Sequence, residues 1–252
     1  MKDFTLSIYQ VLLSTLKYCN YQFQTFHQAL EYPAERVAVL RHDVDARKRH
    51  ALHFARLQQK MDLVGTYYFR MIPQSFDKDI IREIASMGHE VGYHYEDLDR
   101  ARGDHLKAIG YFEQNLERLR KIAPVTTICM HGSPRSKYDN RDLWQYFDYR
   151  DYGIVGEPYF DLDFNTFFYL TDTGRRWDGH KVAIRDKVEN HFELSFHSTA
   201  EIIQSLNEAK FPEKVMFNFH PQRWTNHKIL WLQEKGFQQL KNIIKYLMIK
   251  LS

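Results

Sequence analysis

The chain has 252 residues, of which 44% are hydrophobic and 27% are charged. This composition is ordinary for a soluble globular protein, and the chain is long enough for one large α/β domain. Its formal charge of +3 is too small to indicate a nucleic-acid partner by itself. No stretch approaches the roughly 18 apolar residues of a membrane span. The two cysteines, Cys19 and Cys129, form neither a CxxC pair nor a disulfide framework. We therefore expect one domain over residues 1–252, located in the cytoplasm, with no transmembrane segment and no nucleic-acid partner.

The first regular pattern is an amphipathic helix over about residues 4–17, and residues 21–30 are ambiguous. Val37 to Leu40 are four consecutive apolar residues, which is typical of a parallel strand that is buried on both faces. After this strand, segments whose apolar residues recur with the helical period alternate with segments that have the composition and length of a strand. They predict helices over 46–61, 79–87, 104–122 and 198–209, strands over 65–69, 89–95, 125–130 and 215–219, and shorter strands at 154–155 and 167–170.

Strands that alternate with helices predict an α/β fold whose parallel sheet has right-handed crossovers and is closed, or nearly closed, as a barrel. Residues 136–178 are rich in Tyr, Phe and Asp without a helical period, and long loops in a compact domain are often functional. A last helix over about residues 227–251 combines leucines and isoleucines with lysines. Such a basic amphipathic helix can lie on a membrane, but we expect it to pack on the outside of the domain, as the N-terminal helix does.

Polar residues stand at the C-terminal ends of several predicted strands. Asp43 and Asp45 end the first strand and share a face, because alternate residues of an extended chain do so. Pairs of this type are common in the sequence, but α/β folds place their sites at this end of the sheet. His94, His131 and His220 come at or just after the ends of three other strands. In a barrel these five side chains meet at one end.

These residue types suit the metal-assisted hydrolysis of an amide or an ester. A catalytic ion of the zinc type needs three nitrogen or oxygen ligands and an open position for water, and Asp45, His94 and a third group could supply the ligands. Bound water then loses its proton near neutral pH. Asp43 is suited to be the general base, and His220 could protonate the leaving group.

Three segments of the chain resemble motifs of the polysaccharide deacetylases, which are carbohydrate esterase family 4 and share the NodB-homology domain. Residues 40–45, Leu-Arg-His-Asp-Val-Asp, resemble the first motif, in which the first Asp is the base and the second binds the metal. Residues 88–94, Gly-His-Glu-Val-Gly-Tyr-His, are similar to the segment that ends in the first metal histidine. Residues 217–220, Phe-Asn-Phe-His, resemble the strand that supplies the catalytic histidine, with Phe217 in place of the usual Leu.

The resemblance covers about residues 37–224 and implies an irregular (β/α) barrel of the NodB type with about seven strands. It also implies N- or O-deacetylation of a sugar with one divalent metal ion, which we expect to be zinc, with cobalt or nickel as alternatives. One position departs from the family, because the second metal histidine is replaced here by Leu98, which cannot bind a metal. His131 is the expected replacement, and Glu96 and Asp97 are weaker candidates. Otherwise metal binding is lost or weak.

Residues 171–178, Thr-Asp-Thr-Gly-Arg-Arg-Trp-Asp, combine loop-forming residues with two arginines and an indole. Arginine binds phosphate or carboxylate through two hydrogen bonds, and the flat apolar face of tryptophan suits a sugar ring. Arg175, Arg176 and Trp177, together with Trp224, are therefore the candidate substrate-binding residues. A small sugar, or one linked to a nucleotide or a lipid, would fit them. A solvated loop anchored by one buried Trp is an equal alternative.

From the motifs we expect a metal-dependent hydrolase that removes an acetyl or similar acyl group from an amino sugar in surface-polysaccharide biosynthesis. Leu98 motivates a second hypothesis, a catalytically inactive carbohydrate-binding barrel protein. A third keeps the hydrolase and changes the substrate to a cyclic amide, as in the allantoinase-like branch of the superfamily. The sequence names neither the sugar nor the oligomeric state.

Overall fold

A computed structural model of the chain describes residues 2–133, 136–178 and 188–251, with the side chains up to residue 242. The strands in these ranges are β1 (Gln22–Gln24), β2 (Val37–Val44), β3 (Thr66–Phe69), β4 (Glu90–Tyr95), β5 (Ile128–Met130), β6 (Phe168–Thr171) and β7 (Lys214–Phe219). The α-helices are α1 (Leu6–Tyr18), α2 (Phe26–Glu31), α3 (Lys48–Gln59), α4 (Lys78–Ser86), α5 (Asp97–Arg100), α6 (His105–Arg120), α7 (Pro158–Asp161), α8 (Thr199–Asn207) and α9 (Lys228–Leu251).

The seven strands form one parallel sheet in the order β5-β4-β3-β2-β7-β6, with β1 pairing beside β2. The first half of β2 pairs with β1, its second half pairs with β3, and β7 runs along its other side. Within the part of the chain that the structure describes, β5 and β6 form no ladder with each other, so the curled sheet is open between them. The predicted α/β fold, a nearly closed parallel barrel of about seven strands, is confirmed.

All eight residues of β2 are buried, and alternate residues face two different clusters. Val37 and Val39 pack with residues of the sheet's inner face, including Tyr68 of β3. Ala38 and Leu40 pack on the opposite face, in the larger cluster that also receives the helices. Because side chains alternate along a strand, Arg41, Asp43 and Asp45 continue the inner face of Val37 and Val39 towards the C-terminal end of β2.

Several helices are preceded by a polar residue that caps the N-terminus of the helix. The first backbone N–H groups of a helix have no partner within it, and a side-chain oxygen just before the helix can accept their hydrogen bonds. Thr5, Asp77, Asp104 and Ser198 accept such bonds at the starts of α1, α4, α6 and α8. These caps explain why the observed helix starts lie within about two residues of the predicted ones.

Two stretches differ from the sequence prediction. The ambiguous residues 21–30 contain both β1 and α2, and Thr25 closes a capping box at the start of α2. The predicted strand at residues 154–155 is absent, and a single bridge between Gly156 and Thr127 stands in its place. The loop region beyond β5 contains two 3-10 helices, Asn140–Gln145 and Tyr149–Tyr152, whose starts are capped by Asp139 and Asp148.

Candidate active site

Asp43 lies at the C-terminal end of β2, in a buried network with two polar partners. Arg41, which is only 1% exposed, donates two hydrogen bonds to its carboxylate, at 2.9 Å from Nε and 2.7 Å from Nη2. Asn218 of β7 donates a third, at 3.1 Å. Burial would raise the pKa of Asp43, but the charge of Arg41, supported by His94, outweighs it and lowers the pKa to about 2. Asp43 is therefore a carboxylate at neutral pH.

Asp45, just after β2, faces the histidines of two neighbouring strands. Its Oδ1 lies 3.5 Å from Nε2 of His94 and 3.6 Å from Nε2 of His131. Its Oδ2 accepts a hydrogen bond from Gln222 at 3.1 Å and lies 3.9 Å from Nε2 of His220. Burial would raise the pKa of Asp45, but the interactions with the three imidazoles hold it well below its usual range.

His94 on β4 is held with one ring nitrogen aimed at the two carboxylates. Its Nδ1 lies 2.9 Å from the carbonyl oxygen of Cys129, which only an N–H can satisfy. In the neutral ring Nε2 then carries the lone pair, at 3.8 Å from Oδ2 of Asp43 as well as 3.5 Å from Oδ1 of Asp45. Gly92 precedes His94 on the same face, and a Cβ there would lie 2.3 Å from the ring of Tyr68. The second glycine of this segment is thus required by the close approach of β3.

His131 directly follows β5 and is oriented by a carboxylate on its other side. Its Nδ1 lies 3.1 Å from Oε2 of Glu96, at an angle that does not meet the geometry of a hydrogen bond. Glu96 is in turn held by Arg70 through two hydrogen bonds, at 3.0 and 2.6 Å. Burial would raise the pKa of Glu96, but His131 and Arg70 lower it to about 2. Leu98, at the usual histidine position, is 2% exposed and packs in the hydrophobic core.

His220 follows β7 and is fixed by a carboxylate that the sequence analysis did not assign a role. The Nδ1 of His220 lies 2.7 Å from Oδ1 of Asp172, and its backbone N–H donates to Oδ2 at 2.9 Å. Trp224 and Arg223 also donate to Asp172, each at 2.6 Å. Burial would raise the pKa of Asp172, but Arg223 and His220 lower it. Since Nδ1 donates to Asp172, Nε2 is the nitrogen that His220 presents towards Asp45.

Asp45, His94 and His131 offer the donor types that suit a divalent ion of the zinc type. The Oδ1 of Asp45 is buried and has no hydrogen-bond partner among the described residues, although two imidazole nitrogens face it. Two ligands of a tetrahedral zinc ion, each at about 2.0 Å from it, lie about 3.3 Å apart. The two separations that involve Asp45 are close to this value, and a carboxylate with two imidazoles is a donor set that zinc accepts. The two imidazole nitrogens are further from each other, because this trio is not a group whose ligand atoms all lie within 4.8 Å of one another among the described residues.

A second possible set shares His94 with the first. The ligand atoms of Asp43, His94 and Cys129 all lie within 4.8 Å of one another, and all three residues are buried. Both oxygens of Asp43, however, already accept hydrogen bonds from the guanidinium of Arg41. A fixed positive charge at this distance disfavours a cation on the same carboxylate. The charge of Arg41 beside Asp43 and the unpaired Oδ1 of Asp45 therefore favour the set with Asp45 and His131, whose two imidazoles would have to move closer together to hold one ion.

The predicted substrate-binding residues lie apart from this cluster or inside the core. The indoles of Trp177 and Trp224 are 3% and 1% exposed, so neither has a free face on which a sugar could stack. Arg176 is bound by both oxygens of Asp178, at 2.5 Å each. Arg175 lies over the ring of Trp231 and lines, with Arg176, a surface cavity of about 400 Å³ next to α9. The stacking role predicted for the two indoles is thus not available in this structure.

Four contributing residues were missed from the sequence: Arg41, Glu96 as a partner of His131, Asp172 and Asn218. The sequence does contain a local indication for Arg41, because it lies two residues before Asp43 and so shares its face of the strand. Asp172 also had one, because it comes directly after β6, just as Asp45 comes directly after β2. The contact of Asn218 with Asp43 depends on the register between β2 and β7, which the sequence does not give.

No protein-family model matches the sequence, and neither does any curated protein. Solved structures do show similarity. One is a carbohydrate esterase family 4 enzyme of Streptococcus mutans, with 13% identity, 87% of this chain and 85% of that chain covered, and a TM-score of 0.45. A second is a family 4 pseudoenzyme of Bacillus anthracis, with 11% identity, 83% and 63% coverage, and a TM-score of 0.43.

A third structure is the family 4 domain of a multidomain xylanase from the hindgut metagenome of Trinervitermes trinervoides, with 12% identity, 86% and 85% coverage, and a TM-score of 0.41. Each of the three is a structure of carbohydrate esterase family 4. This is also the family whose motifs the sequence resembles. At these identities and TM-scores the likeness says nothing about activity, so any function must be argued from the side chains themselves.

Proposed function

We propose that the protein is a metal-dependent hydrolase that removes an acetyl or similar acyl group from an amino sugar. The observation that carries this proposal is the placement of two potential proton carriers beside one group of candidate metal ligands. Asp43 lies 3.8 Å from Nε2 of His94, and His220 lies 3.9 Å from Oδ2 of Asp45. The base therefore borders the imidazole of His94, and the acid borders the carboxylate of Asp45.

Asp45, His94 and His131 would hold the ion. When bound there, a divalent ion supplies Lewis-acid chemistry, since it lowers the pKa of water and polarises an acyl carbonyl. His131 takes the place of the histidine that Leu98 replaces, and it reaches the group from β5 rather than from the segment after β4. Glu96 and Arg70 keep the His131 ring in this orientation.

Asp43 would be the general base. It is ionised at neutral pH, and Arg41 and Asn218 fix its orientation, so that it can accept a proton from the attacking water. His220 would be the general acid. Its Nδ1 is bound to Asp172, so a proton held on Nε2 faces the site and can pass to the leaving amine.

The substrate side of the proposal is an acetylated amino sugar in the assembly of a surface polysaccharide, either free or linked to a nucleotide or a lipid. It is supported by the sequence motifs and by the polar site at the C-terminal ends of the strands. With this substrate class we also propose a cytoplasmic location. Among the described residues, no helix combines the length and apolarity needed to cross a membrane.

The direct test is acetate release from a panel of N-acetylated sugars, with the protein supplied in turn with zinc, cobalt and nickel. We expect turnover that a chelator removes and metal restores. Asp43→Asn should bind metal and lose turnover, whereas Asp79→Asn, on an exposed carboxylate of α4, should match the wild type. An active Asp43→Asn protein would refute the assigned base, and no release with any metal would favour the non-catalytic sugar-binding protein that Leu98 suggests.

A further inference from the structure

Helix α9 contacts the rest of the protein through polar side chains. Trp231 donates a hydrogen bond from its indole to the carbonyl oxygen of Asp3, at 2.8 Å. Glu234 is buried and lies 3.6 Å from the guanidinium of Arg47. Gln238 is buried and donates to Asn242 of the same helix, which in turn donates to the carbonyl oxygen of Gly174 at 2.9 Å. These residues recur at helical spacing, so up to residue 242 one face of α9 rests on the protein through hydrogen bonds and charge.

The opposite face of α9 is apolar and exposed. Ile229, Leu232, Phe237 and Leu240 are exposed to 61%, 59%, 62% and 57%. They lie on one side of the helix, and the sequence continues the same spacing with Ile243, Ile244 and Leu247. A helix on a protein surface normally has the reverse arrangement, with its apolar side inward. Large exposed apolar patches mark interaction sites.

The charges of α9 indicate the nature of the partner. The helix contains five lysines and a single acidic residue, Glu234, which is already buried beside Arg47. Lys228, Lys235 and Lys241 are exposed. A second copy of α9 would bring lysines towards lysines without a free carboxylate between them. An anionic surface would attract them instead.

We propose that α9 docks the protein onto an anionic membrane surface, with the helix lying in the plane of the interface. In this arrangement the apolar side chains enter the boundary between headgroups and acyl chains, and the lysines extend to the headgroups. The helix is not one that crosses the bilayer. This inference does not depend on the reaction that the protein catalyses.

The contacts of α9 also place it next to the loops of the candidate active site. Arg47, which pairs with Glu234, comes two residues after Asp45 in the chain. Gly174, whose carbonyl oxygen accepts a hydrogen bond from Asn242, comes two residues after Asp172. The loops that carry Asp45 and Asp172 are therefore the loops on which α9 rests. Docking through α9 would place these loops close to the lipid surface.

Vesicle co-sedimentation of the full chain tests the proposal, with phosphatidylcholine vesicles that either contain or lack phosphatidylglycerol. We expect binding to the anionic vesicles only, and weaker binding when salt is raised from about 0.1 M to about 1 M, since salt screens the lysines. Phe237→Ser/Leu240→Ser should lower the partition coefficient about tenfold or more, because both side chains lose their burial in lipid.

The matched control is Leu106→Ser, a leucine on α6 that is 79% exposed and lies outside α9. It should bind vesicles like the wild type. Because all three altered positions are exposed, the variants should keep the circular dichroism spectrum of the wild type. Equal binding to both vesicle types, binding to neither, or undiminished binding by the double variant would overturn the proposal. A dimer that ignores vesicles and is dissociated by the double variant would assign the face to a second copy.

Discussion

Replacing Arg41 by methionine would leave Asp43 buried without its counterion. Removing one partner of a buried ion pair costs about 3–5 kcal/mol of unfolding free energy. The pKa of Asp43 gives a figure of the same order, because its decrease from 3.8 to about 2 corresponds to about 2 kcal/mol. We therefore expect Arg41→Met to lower the unfolding free energy at neutral pH by at least about 2 kcal/mol.

The pH dependence of this loss has a definite sign. In the wild type the folded pKa of Asp43 is lowered, so its contribution to stability is present above 3.8 and is lost as the pH falls towards about 2. In Arg41→Met, burial is the larger effect and raises the pKa. The variant then loses stability as the pH rises, because the unfolded state ionises Asp43 more readily. The difference between the two proteins should thus be smaller at about pH 4 than at about pH 7.

Guanidinium unfolding followed by circular dichroism, with a chelator present, measures both effects. The matched control is Arg36→Met, since Arg36 pairs with Glu213 at 3.0 Å on the exposed surface. Exposed pairs contribute about 0–1 kcal/mol, so this variant should be close to the wild type. If Arg41→Met costs no more than Arg36→Met, or costs the same at both pH values, Arg41 is not what keeps Asp43 ionised.

Three further changes test other parts of the account. Asp172→Asn should lower kcat about 100-fold or more in a pH–rate profile, because His220 loses its oriented proton; an unchanged profile would remove Asp172 from the mechanism. Burial raises the pKa of Glu157 from 4.5 to about 7, which costs the wild type about 3 kcal/mol of stability as the pH rises through this interval. Glu157→Gln should flatten that slope in denaturant titrations, and an unaltered slope would contradict the raised pKa. Leu98→His should reduce the melting temperature without increasing metal content, because residue 98 packs in the core; a gain of metal would show that this position can still reach the site.

The residues at strand ends were predictable because the rule behind them is geometric. In a parallel sheet all the strands end at the same edge, so identifying the strands places Asp43, Asp45, His94, His131 and His220 together. The structure does bring them together, around Oδ1 and Oδ2 of Asp45. The sequence did not need to specify any distance for this prediction.

The residues that orient the site were harder to predict. The contact between His131 and Glu96 joins the ends of two neighbouring strands, and the contact between His220 and Asp172 joins the ends of two others. Such pairs depend on register and rotamers, which no local pattern encodes. For Trp177 and Trp224 the sequence predicted a substrate-binding role, but both indoles are buried in the structure and donate to Thr199 and Asp172. Composition cannot distinguish an exposed indole from a buried one.

The arrangement of α9 was also beyond the sequence pattern. Helical periodicity shows that a helix has a polar and an apolar side, and the usual expectation is that the apolar side faces the protein. In the structure α9 contacts the domain through its polar face, with Trp231, Glu234 and Asn242. One of the acceptors, the carbonyl oxygen of Asp3, lies 228 positions away from Trp231 in the chain.

Metal content tests the central claim most directly, measured by elemental mass spectrometry on purified wild type and on His94→Ala, His131→Ala and Cys129→Ala. His53→Ala, on an exposed histidine of α3, is the control. The account predicts near-stoichiometric zinc, cobalt or nickel in the wild type, His53→Ala and Cys129→Ala, and its loss in His94→Ala and His131→Ala. Metal that is retained by His131→Ala but lost from Cys129→Ala would contradict it and assign the ion to Asp43, His94 and Cys129. A wild type without metal, even after supplementation, would contradict metal-dependent hydrolysis altogether.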